Sequence, residues 1–419
     1  MSHLRSRRTL ALMSALVLVL TVACGSDDDD DATTTTSAEE SESSESSESA
    51  EGTDGTDGTG GEDAAAGQLV EWSERGPHGV GSHQLALDDG RRVVVWYPAE
   101  AGAGTEEPTE TFDIASLLTP ELQAKIPAEA RVQYPVAAAP NAEPYPGDGP
   151  YPVILFSHGF AGFPEQSVDL TTHLASWGYV VAAPDHVERS LSGLLGTGAQ
   201  GVAPREDPEV LAATFDLVEA QSGDESSPLA DLADVEKVAV AGHSAGAGAS
   251  YRMAATDDRI DAFATYSIGS GSEEDPLPEP APTQPVLVML GDRDGVIEPD
   301  ATREVYEGLG APKYLAEVAN SGHLVFSDLC VIGADQGGLI GIVEEIDLDI
   351  PDNLKRLGSD GCDTEEYLPA DEAFPAIDAL SVAFFRTYLD EEDGAADALA
   401  PGPVEGLDGE AEVTLTAEP

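Results

Sequence analysis

The sequence predicts an α/β fold built on a mostly parallel sheet, with antiparallel strands at its start and helices on both faces. Three observations carry this. Two apolar, β-rich runs near Gln84-Leu85-Ala86-Leu87 and Val93-Val94-Val95-Trp96-Tyr97 flank Asp88-Asp89-Gly90, and Asp-Gly between such runs is a strong short-range hairpin signal. From Pro152 onward, short apolar runs alternate with helix-compatible stretches, the pattern of strands covered on both faces. At the centre, Lys237 to Ser250 reads KVAVAGHSAGAGAS, an apolar strand that meets a glycine-flanked turn and continues into a helix.

Taken in order, Met1 to Ala23 has a basic start (Arg5, Arg7, Arg8) and an apolar run from Thr9, short for a membrane span and suited to a secretory signal. It ends at Thr21-Val22-Ala23-Cys24-Gly25, which resembles a bacterial lipobox with Thr21 where Leu is usual. The resemblance implies cleavage before Cys24, a diacylglyceryl group on its sulfur, and a place on the outer face of a bacterial cell membrane; a plain signal peptide with an incidental Cys24 is the alternative. Residues 24–66 are low-complexity Asp, Thr, Ser/Glu and Thr-Asp-Gly repeats, too poor in apolar groups to offset the entropy of ordering, and read as a disordered acidic tether. Residues 67–393 contain no second linker and read as one catalytic-size domain, with 394–419 an acidic, flexible C-terminal tail.

Within the domain the expected elements are a short helix around Leu117–Lys125, a strand at Pro152–Phe156, a helix at Val168–Ser176 and a strand at Tyr179–Ala183. A helix at Pro208–Gln221 follows, with Pro in its first turn. Then come strands at Val238–Ala241, Ala262–Ile268, Val286–Leu290 and Tyr314–Val318. A last helix over Ala376–Leu389 carries Ile377, Leu380, Phe384 and Tyr388 on one face.

The formal net charge is −61, with 19 Lys and Arg against 80 Asp and Glu. Such a balance argues against nucleic acid and anionic membrane surfaces as partners. A high-salt habitat would account for it. Of the three cysteines, Cys24 is the expected anchor. Cys330 and Cys362 remain in an exported chain, where a disulfide is the default and two free thiols the alternative.

The turn at Gly242-His243-Ser244-Ala245-Gly246 has the form of a nucleophile elbow, with Ser244 at its tip. The bare pattern is weak, since 43 Gly and the serine content give roughly 0.3 chance matches in 419 residues, so the strand before it and the helix after it carry the reading. A serine hydroxyl needs a histidine to take its proton and a carboxylate to orient that imidazole. In this fold class the order is Ser, acid, His, and of eight histidines only His323, in Asn320-Ser321-Gly322-His323, follows Ser244. The acid falls in Gly291-Asp292-Arg293-Asp294-Gly295, after a predicted strand. Either aspartate could reach. Arg293 neutralises Asp292 locally, whereas Asp294 opens a Gly-Val-Ile-Glu-Pro turn and is preferred, with Asp292 the alternative.

An oxyanion also needs backbone N–H donors. Ala245, directly after the nucleophile, is one, and Phe160, in Ser157-His158-Gly159-Phe160-Ala161-Gly162, is the other. His158 and His186 lack the paired spacing of a zinc site and read as structural; no metal and no cofactor is expected.

These segments together resemble the α/β-hydrolase superfamily, in particular the branch of platelet-activating-factor acetylhydrolases, dienelactone-hydrolase-like esterases and bacterial cutinase-type esterases. The likeness rests on GPHGVGSHQLALDDGRRVVVWYPA, YPVILFSHGFAGF, LASWGYVVAAPDHVERS, VAVAGHSAG and GDRDGVIEP, which cover most of Gly76 to Phe326. It implies Ser244 as nucleophile, Asp294 as acid, His323 as base and the Phe160 and Ala245 amides as oxyanion hole. The activity it implies is serine carboxylic-ester hydrolysis through an acyl-enzyme, on small-molecule or lipid esters. A peptidase or amidase on the same triad, or a binding lipoprotein on a non-catalytic hydrolase fold, are the competing readings. Two expectations concern the rim: the segment between Cys330 and Cys362 packs near the active-site mouth, and Leu191–Gly201 with Phe160 and Phe163 forms the acyl pocket. Oligomeric state is not legible.

Overall fold

The computed structural model describes residues 59–105, 109–128, 131–195, 198, 201–272, 275–336, 338–345 and 350–419. The expected signal, Cys24 and most of the acidic tether lie outside the described residues, as do four positions of the Leu191–Gly201 stretch.

The strands are β1 (Gly79–Ala86), β2 (Arg92–Ala99), β3 (Glu110–Asp113), β4 (Gln133–Val136), β5 (Ala139–Pro140), β6 (Tyr151–Ser157), β7 (Val180–Pro184), β8 (Ala233–His243), β9 (Ala262–Tyr266), β10 (Val286–Gly291), β11 (Lys313–Val318), β12 (Gly402–Val404) and β13 (Val413–Glu418). All but β3 and β4 join one sheet in the order β12-β13-β11-β10-β9-β8-β6-β7-β2-β1-β5. From β7 through β6, β8, β9 and β10 to β11, every neighbouring pair is parallel. The predicted Asp-Gly hairpin is the antiparallel pair β1–β2.

The parallel strands are short apolar runs because both faces are covered. In β6 all seven residues are buried, and their side chains divide between two cores. Ile154 and Phe156 face one layer, with Leu174 of α2 (Val168–Ser176) and Phe384 of α6 (Ala370–Tyr388). Val153 and Leu155 face the other, with Val210 and Phe215 of α3 (Asp207–Ser222), Met253 of α4 (Ala245–Thr256) and Val305 of α5 (Pro299–Gly308). The architecture is an α/β-hydrolase fold, with helices on both sheet faces.

Three expectations are corrected. The C-terminal residues are not a flexible tail: β13 pairs antiparallel with β11 along Lys313–Val318 and β12 pairs with β13. Val413 and Leu415 point into the core while Thr414 and Thr416 face out, and this alternation covers the apolar edge of β11. At the other end, α1 (Thr59–Ser73) begins inside the stretch read as tether and buries Leu69 and Trp72. Helix α6 starts at Ala370 and runs through Pro375, because burial of Ala370 and Ala373 extends the packed face beyond the proline that suggests a start at Ala376.

Candidate active site

In open parallel sheets, ligands bind at the carboxyl ends of the strands, where the order of connections reverses. Here Ser244 follows β8, Asp294 follows β10, His323 follows β11, and the loop of Gly159 and Phe160 follows β6. All four therefore sit at one end of the parallel block.

Ser244 has φ 58° and ψ −120°, a left-handed conformation costly for a residue with a Cβ. Its N–H donates to the Tyr266 carbonyl at 2.9 Å, and packing on both sides holds the strain. A Cβ on Gly246 would lie 1.9 Å from the Ser157 carbonyl oxygen, and one on Gly242 would lie 2.4 Å from that of Gly246. The elbow can approach β6 only without side chains at these two positions.

The Ser244 Oγ lies 2.9 Å from Nε2 of His323, and Nδ1 of that ring lies 2.8 Å from Asp294 Oδ2. The other oxygen of Asp294 accepts the N–H groups of Val296 and Ile297, both at 2.8 Å. Burial pushes the Asp294 pKa up, but the hydrogen bond and charge of His323, with those two amides, outweigh it and hold the carboxyl below its ordinary range. Asp292 is solvent-exposed, and its Oδ1 accepts the Ser321 N–H at 3.3 Å. Its neighbour Arg293 turns instead to Asn320 Oδ1 at 2.6 Å and to the Glu366 carbonyl. The structure thus brings Ser244, His323 and Asp294 together and leaves Asp292 outside.

No intraprotein acceptor takes the N–H of Phe160 or of Ala245 among the described residues. The Phe160 amide is oriented by a residue that the sequence did not single out. Arg189 donates from Nη1 to the Gly159 carbonyl at 2.9 Å and to the His158 carbonyl. Because a trans peptide points its C=O and N–H in opposite directions, capture of the Gly159 oxygen turns the Phe160 N–H away from Arg189. Gln166 was missed as well. Its Oε1 accepts the Gly159 N–H at 3.0 Å, its Nε2 donates to His243 Nδ1 at 2.8 Å, and His243 Nε2 donates to the His323 carbonyl at 3.0 Å. Burial, with the neighbouring His323, lowers the His243 pKa to about 3, so this ring stays neutral and acts as a fixed donor and acceptor between three loops. Nothing in the spacing of Gln166 or Arg189 marks either residue.

His158 and His186 are fully buried. His186 Nε2 lies 2.9 Å from Ser157 Oγ, and His158 Nδ1 donates to the Gly159 carbonyl at 2.8 Å. No cluster of three metal-ligating side chains occurs among the described residues. Phe163 is 1% exposed and stacks on Phe112 with ring centroids 5.1 Å apart. It belongs to the core cluster with Phe112, which corrects its expected place in the pocket wall, whereas Phe160 is partly exposed. Cys330 and Cys362 form a disulfide.

The Dienelactone hydrolase family matches residues 138–323, a stretch that holds Ser244, Asp294, His323 and the loop of Phe160. The chain has an α/β-hydrolase fold. The family described as Platelet-activating factor acetylhydrolase, isoform II, matches residues 73–196, which include the antiparallel entry and the loop after β6. Both family matches support an enzyme acting on esters. Among solved structures, a ferulic acid esterase from Streptomyces cinnamoneus is 22% identical, with a TM-score of 0.49, over 75% of this chain and 92% of that one. No curated protein matches the chain.

Proposed function

We propose that this α/β-hydrolase is a serine carboxylic-ester hydrolase working through an acyl-enzyme. The observation that carries the reading is the line of contacts from the strained Ser244 through His323 to Asp294, with Ser244 Oγ 2.9 Å from Nε2. In the proposed cycle Ser244 Oγ attacks the ester carbonyl carbon while its proton passes to His323 Nε2. The negative oxygen of the tetrahedral intermediate accepts the N–H groups of Ala245 and Phe160, each worth about 10²–10³ in rate in comparable sites. His323 then gives the proton to the departing alcohol, and water repeats the sequence to release the acid. Asp294 holds the Nδ1–H tautomer and the imidazolium that forms. The reading includes export and a lipid anchor at Cys24 on the outer face of the cell membrane, supported by the lipobox-like Thr21-Val22-Ala23-Cys24.

Hydrolysis of p-nitrophenyl esters from acetate to palmitate, with Ser244→Ala alongside, tests the chemistry. Turnover that disappears in the variant is expected, and the chain-length optimum sizes the acyl site. Amide turnover matching ester turnover, or equal turnover by the variant, would contradict the reading. Metabolic labelling with a fatty-acid probe tests the anchor, which predicts incorporation that Cys24→Ala abolishes.

A further inference from the structure

The segment closed by the disulfide returns to the site through one carboxylate. We infer that Asp360 is a positioning residue that clamps the turn of the acid to the turn of the base, an inference that rests on the proposed roles of Asp294 and His323. Its Oδ1 accepts the His323 N–H at 2.7 Å and the Gly295 N–H at 3.2 Å. Its backbone carbonyl accepts the Leu324 N–H at 3.2 Å. Gly295 directly follows Asp294, so one oxygen atom bridges the main chain of His323 to the main chain beside its carboxylate partner.

The approach is close enough to exclude side chains. A Cβ on Gly322 would lie 2.4 Å from the Gly361 Cα, and Gly361 itself has φ 87°, a conformation that glycine adopts without strain. Cys362, next in sequence, is bonded to Cys330, and Cys330 closes the short helical stretch directly downstream of His323. The clamp is therefore anchored covalently within two residues of Asp360. Besides the His323–Asp294 contact itself, the loops after β10 and β11 also meet through Arg293 N–H to the Ser321 carbonyl, Arg293 Nη1 to Asn320 Oδ1 and Ser321 N–H to Asp292, the last three being contacts of the two residues that precede Asp294. Asp360 fixes the side of Gly295, where the Nδ1 to Oδ2 distance is set.

Both N–H groups meet the same oxygen, and this makes the inference testable by a conservative variant. Asp360→Asn keeps an acceptor oxygen and loses the charge, whereas Asp360→Ala loses both bonds. A displacement of about 1 Å at a catalytic group costs on the order of 10²-fold in rate. Asp360→Ala is therefore expected to lower kcat by about 10- to 100-fold with KM within about threefold, and Asp360→Asn to stay within about threefold of wild type. The downfield proton resonance of His323 Nδ1–H should sharpen in wild type and Asp360→Asn and be lost to exchange in Asp360→Ala. Wild-type kcat and an unchanged resonance in Asp360→Ala would overturn the clamp. So would an equal loss in a folded Asp360→Asn, which would assign the effect to charge; that variant decides the matter should Asp360→Ala fail to fold. Ser244→Ala keeps the two levels apart: ester turnover equal in wild type and Ser244→Ala would sink the proposed function, while the His323 resonance would still read the clamp.

Discussion

Ser157, His186 and Asp207 stand in the same order of contacts as Ser244, His323 and Asp294. In both sets the serine Oγ is 2.9 Å from the histidine Nε2, and the histidine Nδ1 is within 2.9 Å of an aspartate oxygen. Their surroundings separate them. Ser157 ends a regular strand with no exposure, and its Oγ also accepts Arg189 Nη2 at 2.9 Å. His186 meets Asp207 at a distance but not at an angle suited to a hydrogen bond, and burial, with the Arg189 charge, lowers its pKa. Ser244 has a strained backbone at a strand end, and beside it lie two amides without protein acceptors. Residue types and distances alone do not make a nucleophile. Access and oxyanion donors left without a protein acceptor separate the two sets. The buried set serves another purpose: Asp207 and Ser157 hold Arg189, and Arg189 sets the loop that carries the Phe160 amide.

The largest difference between the two sets is expected in catalysis. Ser244→Ala should lower ester kcat by roughly 10⁴- to 10⁶-fold with an unchanged melting temperature; comparable loss from Ser157→Ala would erase the distinction. Gly246→Ala touches both sets, since its methyl would meet the Ser157 carbonyl at 1.9 Å. It should cost more than about 4 kcal/mol or prevent folding, and a stable, active variant would show that the elbow is looser than described.

Asp207→Ala should cost about 3 kcal/mol at pH 7 by breaking a mostly buried ion pair. Burial would raise the Asp207 pKa, but Arg189 and then His186 outweigh it and hold the carboxylate below its ordinary range. A depressed folded pKa contributes stability that is full above the unfolded value near about 4 and is lost as pH falls through the folded one. The gap between wild type and Asp207→Ala, read from urea midpoints, should therefore narrow below about pH 4. A gap of constant size from pH 7 to 2 would contradict this account. Ser157→Ala should show the smallest effect, about 1–2 kcal/mol from lost buried hydrogen bonds, with kcat within about threefold of wild type.

The parts legible in the sequence were those with local signatures. The Asp-Gly hairpin, the short apolar strands and the glycine-flanked serine each follow from backbone geometry within a few residues, and a single histidine after Ser244 left the chain order no second choice. Asp292 and Asp294 lie two residues apart on one turn, and only the path of the chain after β10 separates an exposed carboxylate from a buried one. Asp360, Gln166 and Arg189 act through contacts between loops distant in sequence, so no spacing marks them. The strand at Val413–Glu418 was hidden differently: its alternation was present, but the acidic composition around it was read as a tail.

The central claim is that Ser244, and not its buried counterpart, is the reactive serine. Incubation with a fluorophosphonate, followed by intact mass and peptide mapping, tests it most directly. One adduct per chain on Ser244, absent from Ser244→Ala and undiminished in Ser157→Ala, is the predicted result. An adduct on another serine, or a folded wild-type protein that takes none, would contradict it.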